Sequence, residues 1–189
     1  MPSSVSHIKL LCAAMTAACL LVMGLAGTAS AAGRPSSGGA TFEPPPPPPT
    51  AAKIVDGQAI APASAPGRVK RVIEAGNRLI GKPYRYGGGH RPFGRMLDTG
   101  YDCSGTASYA LYGGRFLRSP MPSGSFMNWA QDGPGRWITV YAHGGHMYLV
   151  VAGLRLDTGM RDDPSTTGPA WSKRLRPSNA FVARHPSGY

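Results

Sequence analysis

Six consecutive prolines, Pro44 to Pro49, limit what this 189-residue chain can fold. Proline fixes φ and lacks an amide proton, so the run can join neither a helix interior nor a sheet ladder; it forms an extended polyproline II spacer. It lies in a wider stretch, residues 32–66, of Arg34-Pro35-Ser36-Ser37-Gly38-Gly39 and later Ala/Pro/Ser repeats. That composition reads as a linker. Ahead of it, His7 and Lys9 give a weakly positive start, an apolar run extends from Ile8 to Ala26, and Ala29-Ser30-Ala31 supplies small residues for cleavage. Residues 1–31 are therefore read as a signal peptide. The run is short and rich in Ala and Gly for a retained anchor. A lipoprotein processed at Cys19 would want a large aliphatic residue where Thr16 stands. The expected organisation is signal peptide 1–31, linker 32–66 and one folded domain, 67–189, in a secreted or cell-wall protein with no stable membrane insertion after cleavage.

Removing residues 1–31 takes away one Lys and no acid, so 19 basic residues face 9 acidic ones, a net +10. Outside a cell this charge suits anionic wall polymers, acidic glycans or lipid headgroups, and equally a protein that is merely soluble. Nucleic acid is not an expected partner: export argues against it, and no ladder of aromatic and basic residues appears.

Cleavage also removes Cys12 and Cys19, leaving Cys103 as the only thiol. A lone cysteine in an exported protein has no internal disulfide partner; it is a buried small residue, a liability or a reagent.

The folded part reads as α+β. Val69, Val72, Ile73, Ala75, Leu79 and Ile80 recur at helical spacing, and Gly81-Lys82-Pro83 ends that helix. Asp102 is a candidate N-cap for a second helix, 103–112, stopped by Gly113-Gly114. Residues 115–135 read as irregular. Strands are expected at 137–141, 146–151, 154–158 and 180–184, the middle pair forming a hairpin about Ala152-Gly153. Helices first and strands later imply helices packed on an antiparallel sheet.

A thiolate, not a thiol, attacks carbonyl carbon. Cys103 in the first turn of a helix capped by Asp102 would face unpaired N–H groups that favour negative charge. His146, after Gly144-Gly145 and at the start of a strand, is the candidate base. Asp157, near the end of the partner strand, is the candidate third member, although one step of register separates the faces of a sheet. His143 competes for the base role, and His90 and His185 are further free imidazoles. Cys103, His143 and His146 could be imagined around zinc, but their spacing is not a usual ligand pattern, so no metal and no cofactor are expected.

Three blocks in order resemble the NlpC-type cell-wall peptidases, a branch of the papain-like cysteine peptidases. Gly81-Lys82-Pro83-Tyr84-Arg85-Tyr86-Gly87-Gly88 is similar to the family's G-x-P-Y-x-W/Y-G-G signature. Tyr101-Asp102-Cys103-Ser104-Gly105 is similar to its D-C-S-G block, and Gly145-His146-Met147-Tyr148-Leu149-Val150 to its H-V-G-I-Y strand. The resemblance implies an α+β papain-like domain and a secreted cysteine endopeptidase. Its substrate would be a peptidoglycan stem peptide, cut between D-glutamate and diaminopimelate or lysine through a thioester acyl-enzyme. It implies Cys103 as nucleophile, His146 as base and Asp157 as third member, a position more often His in the family. It also implies Tyr84, Asp102 and Ser104 at the substrate, the Cys103 N–H as oxyanion donor and a structural Tyr86. Two other readings stay open: a non-enzymatic wall-binding or scaffold protein, and a Cys/His amidase or acyltransferase on lipids. The last would want an apolar lid, for which the 115–135 segment offers Phe116, Leu117, Met121, Phe126, Met127 and Trp129.

Overall fold

The computed structural model describes residues 51–94, 96–159 and 167–189. The signal segment and the proline run lie outside them. Within them the chain is α+β. In chain order the elements are β1 (Lys53–Val55), β2 (Gln58–Ile60), α1 (Gly67–Asn77), α2 (Cys103–Gly113), α3 (Ser123–Phe126), β3 (Gln131–Asp132), β4 (Ile138–His143), β5 (His146–Val151), β6 (Leu154–Asp157), β7 (Ala170–Ser172) and β8 (Val182–His185).

β3 to β8 form one antiparallel sheet of order β3-β8-β4-β5-β6-β7. Its central strands are β4 and β5, and β5 forms with β6 the hairpin expected from the alternation of apolar residues. Ala152 (φ 46°) and Gly153 (φ 81°) are both left-handed there. Two such residues make the turn whose twist matches that of antiparallel strands. The register Val140↔Leu149↔Leu156↔Trp171 puts these four residues on one face. They join Val69, Val72 and Ile73 of α1 and Ala107, Ala110 and Leu111 of α2 in a single core. Burying six such aliphatic side chains contributes on the order of 10 kcal/mol before conformational entropy is subtracted. The opposite face carries His146, Tyr148 and, by continuation of the register, Asp157.

α1 ends at Asn77, earlier than its apolar spacing implies. Leu79 and Ile80 continue in tighter turns, their N–H groups donating to Gly76 O and Asn77 O. Leu79 is still fully buried. Gly76 admits the Trp171 ring: a Cβ there would lie 2.6 Å from Trp171 Cζ2.

The stretch read as linker does not run to residue 66. Its last part, from Ala51, belongs to the fold: β1 and β2 pair antiparallel about Asp56-Gly57, both at positive φ (49° and 76°). Asn77 fastens this hairpin. Its Oδ1 accepts from Ala59 N at 2.9 Å and from Trp171 Nε1 at 2.8 Å, and its Nδ2 donates to Ala59 O at 2.9 Å. Ala52 N donates to Ala152 O at 2.8 Å. Residues 115–135 are also less irregular than expected, holding α3 and β3. Among the described residues no helix is long and apolar enough to cross a membrane.

Candidate active site

Asp102 is extended and its Oδ1 accepts the Gly105 N–H at 2.7 Å, the N-cap bond that starts α2. Cys103 is therefore the first helical residue, half-buried against the core and not in a disulfide. The turn beneath it is built from both glycine-bearing motifs. Gly87 N–H donates to Asp102 Oδ2 at 3.0 Å, and Asp102 N–H donates to Gly88 O at 3.1 Å. A Cβ on Gly105 would lie 2.9 Å from Gly89 Cα and would overlap Gly88 O. The glycines of the two motifs thus let one loop lie flat on the first turn of the helix. Tyr84 forms a parallel bridge with Tyr101, with Tyr101 N donating to Pro83 O and Arg85 N to Tyr101 O, at 3.0 and 3.1 Å. This sets the Tyr84 segment alongside the nucleophile.

His146 starts β5, and its ring is close enough to Cys103 for the sulfur to favour its protonated form. Nε2 lies 2.9 Å from Asp157 Oδ1, so Nδ1 is the nitrogen left for sulfur. Burial disfavours the imidazolium. The hydrogen bonds to Asp157 and Cys103, and the charges of both partners, outweigh it and raise the group from 6.5 to about 9. The imidazole is thereby held as a cation beside the sulfur.

Asp157 is fully buried, which opposes its ionisation. The hydrogen bonds from His146, from Gly159 N–H at 2.9 Å and from Arg176 Nη1 at 2.9 Å prevail and hold it below the ordinary carboxyl value. Arg155 Nε adds positive charge 3.6 Å from Oδ2. Arg176 in turn packs across Tyr148 and Phe181, 5.5 Å from each ring centroid. Arg176 was not foreseen from the sequence, since it follows a three-residue strand and no local pattern marks it.

The other expectations divide. Tyr84 is 46 % exposed; burial first, then the charges of Cys103 and Asp102, raise its phenol. Asp102 and Ser104, read as substrate-lining, are both buried and hydrogen-bonded to each other. Ser104 Oγ donates to Asp102 Oδ1 at 3.1 Å, and His90 Nε2 lies 3.1 Å from that oxygen and 3.0 Å from Ser104 Oγ. Tyr86, read as structural, is 93 % exposed. His143, the rival base, accepts the Gly145 N–H on Nδ1 at 3.0 Å and packs on Phe181. His185 meets Gly133 O through Nδ1 at 2.9 Å, in the sheet's β8. The 115–135 segment is no loose apolar lid: Phe126 is fully buried, and Phe116, Leu117, Met121, Met127 and Trp129 pack against the core.

No protein-family model matches the chain, and no curated protein matches it.

Proposed function

We propose that this protein is a secreted cysteine endopeptidase of the NlpC type that hydrolyses peptidoglycan stem peptides. The observation that carries the reading is the Cys103–His146–Asp157 relay, with the sulfur at a helix N-terminus and the imidazole held between sulfur and a buried carboxylate. The three sequence blocks that resemble the family are the ones that build this site.

In the proposed reaction the Cys103 thiolate attacks the scissile carbonyl carbon. The carbonyl oxygen takes up the negative charge, next to the Cys103 N–H and the positive end of α2. The imidazolium of His146 gives its Nδ1 proton to the leaving nitrogen. The C–N bond breaks, the amine departs and a thioester remains. Neutral His146 then takes a proton from water as the hydroxyl attacks the thioester. Collapse returns the thiolate, releases the new carboxylic acid and restores the imidazolium. Asp157 keeps the ring aligned through both steps and stabilises its charge. Tyr84, exposed on the segment alongside the nucleophile, is the side chain available to the substrate.

A scaffold that had lost turnover has no physical need of this relay, and the core-packed 115–135 segment removes the apolar lid that a lipid acyltransferase would want. The test is incubation of the purified protein with peptidoglycan, reading released peptides by mass spectrometry. Release by the unmodified protein and none by Cys103→Ala is expected. Full activity in that variant would remove the mechanism; binding without any release by the unmodified protein would favour the scaffold.

A further inference from the structure

His90 takes no part in the reaction above, yet its ring meets the turn that carries Cys103. Gly89 (φ 82°) delivers it there: a Cβ at Gly89 would overlap the Tyr101 ring and lie 2.9 Å from Gly105 Cα, so glycine lets the chain pass this close to α2. His90 Nε2 stands 3.1 Å from Asp102 Oδ1 and 3.0 Å from Ser104 Oγ. That nitrogen must carry a proton, since a bare one would set its lone pair against a carboxylate oxygen. Oδ1 therefore accepts from three donors: His90 Nε2–H, Ser104 Oγ–H and Gly105 N–H. The three side chains are no second nucleophile relay. One and the same ring nitrogen meets both Ser104 and Asp102, whereas a serine relay needs the acid on the opposite nitrogen, and Ser104 is only 5 % exposed.

What His90 holds matters because a capping carboxylate has two places to go. It can accept the third N–H of its helix or the second. In α2 the third is Gly105 and the second is Ser104. Asp102 Oδ1 is on Gly105 N–H at 2.7 Å, and Thr106 N–H donates to Asp102 O at 2.9 Å. Among the described residues the N–H groups of Cys103 and Ser104 meet no acceptor. They are the donors that suit a carbonyl oxygen gaining charge at the sulfur. A carboxylate turned onto Ser104 N–H would occupy one of them and bring negative charge toward the thiolate, which disfavours it. Gly87 N–H fixes Oδ2; on the Oδ1 side, His90 is the donor that comes from outside the helix. We propose that His90 is a positioning residue: it pins the capping carboxylate on Gly105 and so keeps the first two N–H groups of α2 open to the substrate's carbonyl oxygen. Its part in turnover rests on the peptidase reading above.

The test compares His90→Phe, which keeps a ring and loses the donor, with His90→Gln, whose amide nitrogen can stand where Nε2 stands. On a soluble stem peptide His90→Phe should lower kcat about tenfold with KM little changed, the pattern of a contact made in the transition state. The loss is smaller than that of an oxyanion donor itself, because Gly87 and Ser104 still hold the carboxylate. His90→Gln should restore most of it. Alkylation of Cys103 by iodoacetamide across pH, read by mass spectrometry of the peptide that carries it, reports the thiolate directly. His146 and Tyr84, which interact electrostatically with the sulfur, are unaltered in every variant. The alkylation curve should move to higher pH in His90→Phe and stay in place in His90→Gln. His90→Ala should behave as His90→Phe does, and takes its place should that variant not fold. An unchanged kcat or an unmoved alkylation curve in the donor-free variants, or a His90→Gln protein no better than they are, would overturn the proposal. Alkylation needs no peptide substrate: a shifted curve in a protein that cleaves nothing supports the role of His90 and sinks only the peptidase reading.

Discussion

His146 and Asp157 stand on neighbouring strands but not opposite each other: Nε2 and Oδ1 meet at 2.9 Å along a diagonal. The β5–β6 register pairs Leu149 with Leu156, and its continuation sets Asp157 opposite Tyr148. Residues 146 and 148 share a face, so Asp157 shares it too and reaches back two residues along β5. The contact therefore depends on the strand pairing holding its register.

The raised imidazole has a signed consequence for stability. Its folded value of about 9 exceeds the ordinary 6.5, so its stabilisation is complete below pH 6.5 and lost as pH rises through 9. The amount is on the order of 3 kcal/mol. Asp157 runs the other way: its contribution is present above 3.8 and is lost as pH falls through its depressed folded value. Urea unfolding across the pH range should show a plateau between these limits. Imidazole NMR should find His146 titrating near 9, and lower in Cys103→Ala, where the sulfur's hydrogen bond and charge are gone. A midpoint near 6.5 in the unmodified protein would contradict the ion pair.

Asp157→Asn removes the charge that orients the ring and answers two arginines. Activity on peptidoglycan should fall by about 100-fold or more. Unfolding free energy should drop by about 3 kcal/mol, because His146, Gly159 N–H and Arg176 then lose the charged acceptor they share. Steady-state kinetics and chemical denaturation read the two effects separately. Loss of activity alone would mean the arginines have other anchors.

Gly105→Ala tests the loop laid on the nucleophile turn. The added methyl would collide with Gly88 O and crowd Gly89 Cα. Overpacking of this kind costs about 1–3 kcal/mol, and it moves the loop that carries Tyr84 as well. Turnover should fall at least tenfold while the far-ultraviolet spectrum stays native. Unchanged kinetics would show that the loop position is irrelevant to the sulfur.

Asn77→Leu should free the N-terminal hairpin. Ala59 N, Ala59 O and Trp171 Nε1 lose their partner at once. The expected cost is about 3 kcal/mol, less if water replaces the lost bonds. Hydrogen exchange should become fast across residues 53–60 while β5 stays protected. Equal protection in both would assign the hairpin's hold to its apolar contacts alone.

The site was legible in the sequence wherever the physics is local. Asp102 caps the helix that its residue type announces, and the apolar run from Met147 shows the strand that His146 begins. The β1–β2 hairpin was not seen, although Asp56-Gly57 is a strong turn signal. The surrounding Ala and Pro residues carry a linker's composition, and the strands on either side are three residues long. Its hold comes from Asn77 and Ala152, distant in the chain. The same distance hides Arg176. Its meaning lies in a carboxylate 19 positions earlier, reached only after β6 and β7 have paired. The hydrogen bonds that tie Asp102 to Ser104, Gly105 and His90 were hidden too, because motif letters do not say which way a side chain turns.

Ala52 binds the chain at Ala152, the end of β5 remote from His146. The five steps of β5 from His146 to Val151, at about 3.3 Å each, separate those poles by roughly 17 Å. The polypeptide therefore enters this domain at its back. The tie that holds the first described residues is thereby kept off the imidazole end of the sheet.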